Sequence, residues 1–216
     1  MERTRRHVKR SYDATSRRAR SAATRQRILE IARELLVEVG YRATTIAAVA
    51  ARADVNVDTV YALVGRKPVL LKELIEQAIS GTDSAVVAEE RDYVKAVIAE
   101  ADPARKLVIY AAAVRQIQER MAPLFLALRD AAATEPEAQA VWREISDRRA
   151  DNMRKLARDL SEAGGLRDEI SIEVAADVIW AMNSSELYVL LTVERGWSST
   201  QFEIWLADTW RRLLLA

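Results

Sequence analysis

The chain has 216 residues, half of them hydrophobic and 30% charged, with a net charge of +1 and no cysteine. That is ample apolar material for a packed core, and it excludes a disulfide framework and any thiolate-ligated metal. The single histidine, His7, sits in an arginine-rich end, which removes serine–histidine and cysteine–histidine catalysis and histidine-based metal centres.

Taken in chain order, the first segment is basic. Residues 1–80 carry a charge of +7 and residues 81–216 a charge of −6. Arg3, Arg5, Arg6, Lys9, Arg10, Arg17, Arg18, Arg20, Arg25 and Arg27 supply most of the positive charge. A basic end on an acidic body points to a polyanion partner for that end, the alternative being a solvated tail. Residues 1–23 are read as a partly disordered arm.

Helical periodicity begins near residue 25. Ile28, Ala32, Leu35, Leu36 and Val39 recur at spacings of three and four, which places them on one face of a helix over 25–39, closed by Gly40. Two short helices follow at 45–51 and 56–63, then one at 67–80 closed by Gly81. Further helices are expected at 84–100, 103–121, 123–133, 135–163, 171–194 and 199–215. Pro68, Pro103, Pro123 and Pro136 mark helix starts, where the missing N–H is tolerated. Thr134 with Glu137 and Ser198 with Gln201 have capping-box spacing. No run alternates with a period of two. The fold class is all-α: a helix-turn-helix domain over 24–80 and a larger helical domain over 81–216.

The short pair carries the function. Helices below about 12–15 residues are marginal alone, so these two must pack on the preceding helix. Ile46, Val49, Ala50, Val55 and Val60 provide a small core, Thr44 or Thr45 caps the second helix, and Asp54 takes the turn position, which needs a left-handed backbone. Such a unit exposes its second short helix to the DNA major groove.

Residues 25–75, TRQRILEIARELLVEVGYRATTIAAVAARADVNVDTVYALVGRKPVLLKELI, resemble the N-terminal DNA-binding domain of the TetR family of bacterial transcriptional regulators. The likeness rests on the helix closed by Gly40, the ATT opening of the second helix, ADVN as the turn, TVY in the recognition helix, and Lys67 before an apolar run. It implies DNA contacts from Arg25, Thr44, Thr45, Asn56, Val57, Asp58, Thr59, Tyr61 and Lys67. Val57, Asp58 and Thr59 would face bases, while Tyr61 and Lys67 would hold phosphates. Leu63 and Val64 depart from the family's usual aromatics, and the recognition helix has no Lys or Arg.

For residues 81–216 the resemblance implies small-molecule binding and dimerisation. The apolar helices at 171–194 and 199–215 suit a two-fold four-helix interface, which in turn predicts a palindromic operator. Tyr110, Gln118, Phe125, Trp142, Trp180 and Asn183 are candidate pocket residues for an unknown effector, although a tryptophan on a helical stripe is more often core. No G-x-G-x-x-G or G-x-x-x-x-G-K-[ST] loop occurs. No cofactor or metal is expected, nor an enzyme, although carboxylate chemistry alone is not removed by composition. No apolar run approaches the ~18 residues of a membrane span, and no signal peptide is evident, so a cytoplasmic protein is expected. The reading is a ligand-responsive, homodimeric repressor released from double-stranded DNA by a small molecule. The alternative is a constitutive or partner-controlled DNA-binding protein.

Overall fold

The computed structural model describes the backbone of residues 4–216 and the side chains from residue 16 onward. The side chains of Arg3, Arg5, Arg6, His7, Lys9 and Arg10 lie outside that range. Among the described residues the chain is helical apart from turns and one isolated antiparallel bridge between Leu166 and Leu215. It divides into two compact units, Met1–Leu74 and Ile75–Ala216.

The first unit contains α1 (Thr4–Ala43), α2 (Ile46–Ala53), α3 (Val57–Val64) and the first half of α4 (Lys67–Ser80). Helix α1 starts some twenty residues before the expected 25, because no apolar stripe in the sequence precedes Ile28 to signal it. Ile28, Leu29, Ala32 and Leu36 are buried there, whereas Val39 is exposed. Gly40 breaks the helical path with φ 76° and ψ 176°. Its carbonyl accepts both the backbone N–H of Thr44 at 3.2 Å and the Thr44 hydroxyl at 2.8 Å.

Val49, Ala50, Ala53, Val60 and Val64 close the core of the short pair against α1. The Thr45 hydroxyl caps α2 by accepting from the Ala48 N–H at 3.0 Å. Asp54 ends α2 in the left-handed region, φ 55° and ψ 49°. The Asp54 N–H donates to Ala51 and the Val55 N–H to Ala50, the paired bonds of a Schellman closure. Arg25 fastens α1 to the rest of the unit: its Nε donates to the Leu63 carbonyl at 3.1 Å, and its guanidinium pairs with Glu73 at 2.5 Å.

The second unit is built on α6 (Pro103–Ala132), which packs against α5 (Asp92–Ala99), α7 (Pro136–Glu162), α9 (Ser185–Val189) and α10 (Ser199–Leu214). Helix α8 (Ile172–Met182) lies against α7. Leu107, Ala111, Ala157, Leu160, Ile179, Phe202, Leu206 and Trp210 form the dry centre. The end of α4 joins this unit, where Arg120 Nε donates to the Ala78 carbonyl at 2.9 Å and Arg148 pairs with Glu76. Gly165 is required where the chain crosses Pro103, since a Cβ there would overlap the proline ring.

Four expectations are corrected. Residues 123–133 do not start a new helix: α6 runs through Pro123, losing one backbone bond while Ala122, Leu124, Phe125 and Leu128 stay buried around it. The expected helix 84–100 is shorter, beginning at Asp92 after a 3₁₀ turn at Ala88–Glu90. The Thr134–Glu137 capping box does not form, as Glu135 takes the N-cap position, while Ser198 does cap α10 by accepting from the Gln201 N–H. Finally, helix 171–194 is broken at Asn183–Ser184. Ser184 has extended backbone and caps α9, and a π turn follows at Leu190–Glu194.

Candidate functional site

Two regions collect the polar groups that the fold leaves without a packing role. The first is the outer face of α3. Asn56 holds the N-cap position with extended backbone but makes no side-chain cap bond. Val57 and Tyr61 are 39% and 49% exposed, and Asp58 is exposed beside them. Thr59 is half-buried. The Thr45 hydroxyl, exposed at the start of α2, accepts from its own helix and retains a proton to donate outward. Lys67, at the N-terminus of α4, lies with Nζ 3.7 Å from the centre of the Tyr41 ring. A cation held over a ring at a helix N-terminus sits where phosphate oxygens are favoured.

Two expected members of this face are occupied elsewhere. Thr44 is 2% exposed, and its hydroxyl is bonded to the Gly40 carbonyl. Arg25 is bonded to Leu63 and Glu73 and so acts as an internal fastener. The longer α1 brings Arg20, Ser21 and Thr24 alongside Asp58, Thr59 and Ala62, around a shallow concavity. The extension of α1 thus places Arg20 beside the recognition helix, on the same concavity as Asp58 and Thr59.

The second region is a cavity in the helical domain. Of the six expected pocket residues, Tyr110, Gln118, Phe125 and Asn183 line a chamber of about 80 Å³. Gln118 Nε2 donates to the Asn183 carbonyl at 2.6 Å, and its Oε1 accepts from the Ser185 hydroxyl at 2.8 Å. Asn183 Nδ2 donates to the Tyr110 hydroxyl at 2.8 Å, while Asn183 Oδ1 is buried without a partner. Burial pushes the Tyr110 phenol well above its ordinary value. The break between α8 and α9 creates this cluster, because only a non-helical residue at 183 offers its carbonyl sideways.

Trp142 and Trp180 do not line the chamber. Trp180 instead backs Arg149, whose guanidinium carbon lies 4.3 Å from the centre of its ring. Sequence reasoning missed Arg149, Arg148, Arg91 and Asn152 on the wall. A signal for Arg149 was present: it falls four residues after Ile145 and four before Met153, in line with the buried stripe of α7. Across Tyr110 and Met153 the chamber adjoins a second one of about 270 Å³, lined mainly by Tyr93, Val94, Val97, Ile98 and Leu156. Among the described residues no group of carboxylates or histidines is placed to hold a metal, and no helix is long and apolar enough to cross a membrane.

An exposed α3 presented by a packed α1–α2 pair is a helix-turn-helix unit of the kind that reads DNA, and a helical domain follows it in the chain. Residues 28–74 match the family of bacterial regulatory proteins, tetR family, and the N-terminal domain is that of TetR-family regulators. The fold is shared along nearly the whole chain. A protein from Saccharomonospora viridis assigned as a transcriptional regulator, in complex with choline, superposes with a TM-score of 0.68 at 20% identity, over 90% of this chain and 99% of that one. A protein assigned to the TetR-family regulators from Syntrophomonas wolfei gives 0.71 at 17% identity, over 89% and 95%. The SmeT–triclosan complex gives 0.62 at 18% identity, over 90% and 92%. No curated protein matches.

Proposed function

We propose that the chain is a homodimeric, cytoplasmic transcriptional regulator that represses from a palindromic operator and is released by a small molecule. The observation that carries this reading is the cavity wall itself. It includes Ile79 of α4, and Arg148, which pairs with Glu76 of α4. Helix α4 begins at Lys67, beside the recognition helix. A ligand that displaces Arg148 or Ile79 shifts one end of the helix whose other end opens the DNA-binding unit, and its effect on operator affinity equals its differential affinity for the two positions. That two proteins of this fold hold choline and triclosan supports a small-molecule role for the cavity.

In this reading Val57, Asp58 and Thr59 meet base edges, Asp58 accepting from a cytosine amino group. Thr45, Asn56, Tyr61 and Lys67 bind the sugar–phosphate backbone. Dimerisation uses α10 and the segment before it, where Ile204 and Val193 are 64% and 72% exposed. Apolar side chains so open to water fit a two-fold interface.

Selection of bound fragments from random DNA tests the reading, with wild type beside Tyr61→Ala/Lys67→Ala. A palindrome enriched by wild type alone supports it. Binding that is sequence-independent and strongly salt-sensitive in both would leave the basic arm as the only DNA contact and refute operator recognition. With the operator known, a ligand that binds the cavity tightly yet leaves operator affinity unchanged would replace induction by constitutive binding.

A further inference from the structure

The chamber next to Tyr110 carries cationic groups and no carboxylate. Arg91, Arg148 and Arg149 stand on its wall, and none of its lining residues is acidic. Their circumstances differ. Arg148 is neutralised by Glu76. Arg91 donates to the Val86 carbonyl and the Tyr93 hydroxyl. Arg149 has neither kind of partner: its Nε and one terminal nitrogen are buried without a hydrogen bond. Its guanidinium carbon lies 4.3 Å from the centre of the Trp180 ring and 6.0 Å from that of Phe125. Burial lowers the guanidinium pKa, and the carboxylate that acts on it, Glu186, is bonded to Arg129 at 2.9 Å.

Arg149 is half-buried, and a cation partly withdrawn from water without a counterion is destabilising until a ligand of opposite charge completes it. A guanidinium beside aromatic rings keeps its N–H donors in its own plane, where a carboxylate can accept from them. The adjoining chamber has the opposite character. Its wall is mainly aliphatic and aromatic, and its two acids are each paired, Glu89 with Lys155 at 2.6 Å and Asp159 with Lys106 at 2.7 Å. At roughly 30 Å³ per water-sized group, its 270 Å³ accepts an alkyl chain of about eight or nine carbons.

We propose that the effector is an amphiphile with one anionic head, of carboxylate type, which pairs with Arg149 while its apolar tail fills the chamber beyond Tyr110 and Met153. The inference rests on the reading of this cavity as the effector site and adds the chemistry of its ligand. Asn152, on both walls, marks the passage between head and tail. Replacing the counterion that Arg149 lacks is also a way to disturb Arg148, its neighbour in sequence and the link to α4.

The test is calorimetric titration of the full chain with matched probes of six to twelve carbons: alkanoates, alkanols and alkyltrimethylammonium ions, each below its micelle concentration. The expected result is tightest binding by the alkanoates, with Arg149→Leu weakening them roughly 10- to 100-fold and leaving alkanols unchanged. Arg149→Lys, which keeps the charge without the fork, should retain part of the preference. Equal or better binding by alkanols or ammonium ions would overturn the anionic head while sparing the cavity as a ligand site. No binding by any probe at any length would overturn both. If Arg149→Leu instead shifts the dimer equilibrium and leaves alkanoate affinity intact, the guanidinium serves the subunit interface and the inference fails.

Discussion

Gln118 of α6 grips Asn183 at the point where the α8 helix ends, its Nε2 donating to the Asn183 carbonyl at 2.6 Å, with both residues buried. The same amide accepts from Ser185, so a single side chain spans the break between α8 and α9. Gln118→Leu keeps the volume and leaves a carbonyl and a hydroxyl unbonded in the core. Each such loss costs about 1–3 kcal/mol. Urea denaturation should show a loss of about 2–6 kcal/mol, and a midpoint unchanged within error would mean that water replaces both bonds.

The turn between α2 and α3 makes a second prediction. Asp54 is the described non-glycine residue with positive φ, and a left-handed conformation costs ordinary L-residues roughly 1–2 kcal/mol. Asp54→Gly should be neutral or slightly stabilising. Asp54→Val should lower stability by about 1–2 kcal/mol and weaken DNA binding by loosening α3. Equal thermal midpoints for the two variants would contradict the strain argument.

Lys106 is nearly inaccessible, at 3%, and its ammonium meets both the Val97 carbonyl at 2.8 Å and Asp159 at 2.7 Å. Asp159 keeps 33% exposure, so solvent screens part of the pair. Lys106→Met should cost about 3 kcal/mol, near the lower end for breaking a buried pair. Adding Asp159→Leu should recover part of that loss, since the carboxylate no longer lacks a partner. A double variant less stable than the single would exclude charge desolvation as the cause.

Tyr110 predicts a pH effect. Burial raises its phenol above the ordinary value of 10, the folded state holding the proton more tightly than the unfolded chain. Its contribution is therefore complete below pH 10 and declines as pH rises beyond that value. Tyr110→Phe should cost about 1 kcal/mol at neutral pH through the lost Asn183 bond. Between pH 10 and 11 its stability should fall less steeply than that of wild type. Parallel decline in the two proteins would show that Tyr110 does not ionise on unfolding.

Much of this was legible in the sequence, for reasons that particular residues make clear. The helix-turn-helix was readable because its determinants are local: a capping hydroxyl at Thr45, a turn residue at Asp54, and apolar spacing from Val49 to Val60. Glycine and proline located most helix ends, yet Pro123 misled, since tertiary burial on both sides outweighs one missing N–H. Four of the six pocket candidates line the cavity because a polar residue on an apolar stripe is conspicuous, as Gln118 is. Trp142 and Trp180 are candidates only because pockets are mostly apolar, a ground that does not tell core from cavity wall. Arg149 was passed over because Arg148–Arg149, among so many charges, reads as a wetted face, although its register with Ile145 and Met153 points inward. The start of α1 was hidden for the opposite reason: a polar helix without an apolar stripe gives no periodic signal.

The Gln118 bond has one more consequence. It is made to the main chain of residue 183, and every amino acid offers the same carbonyl. The clamp across the helix break therefore does not depend on which side chain stands at 183, although that side chain faces the cavity. Ligand preference at this position can diverge between related proteins while the main-chain clamp that frames it stays fixed, the folding cost of a change being the side chain's own bond to Tyr110.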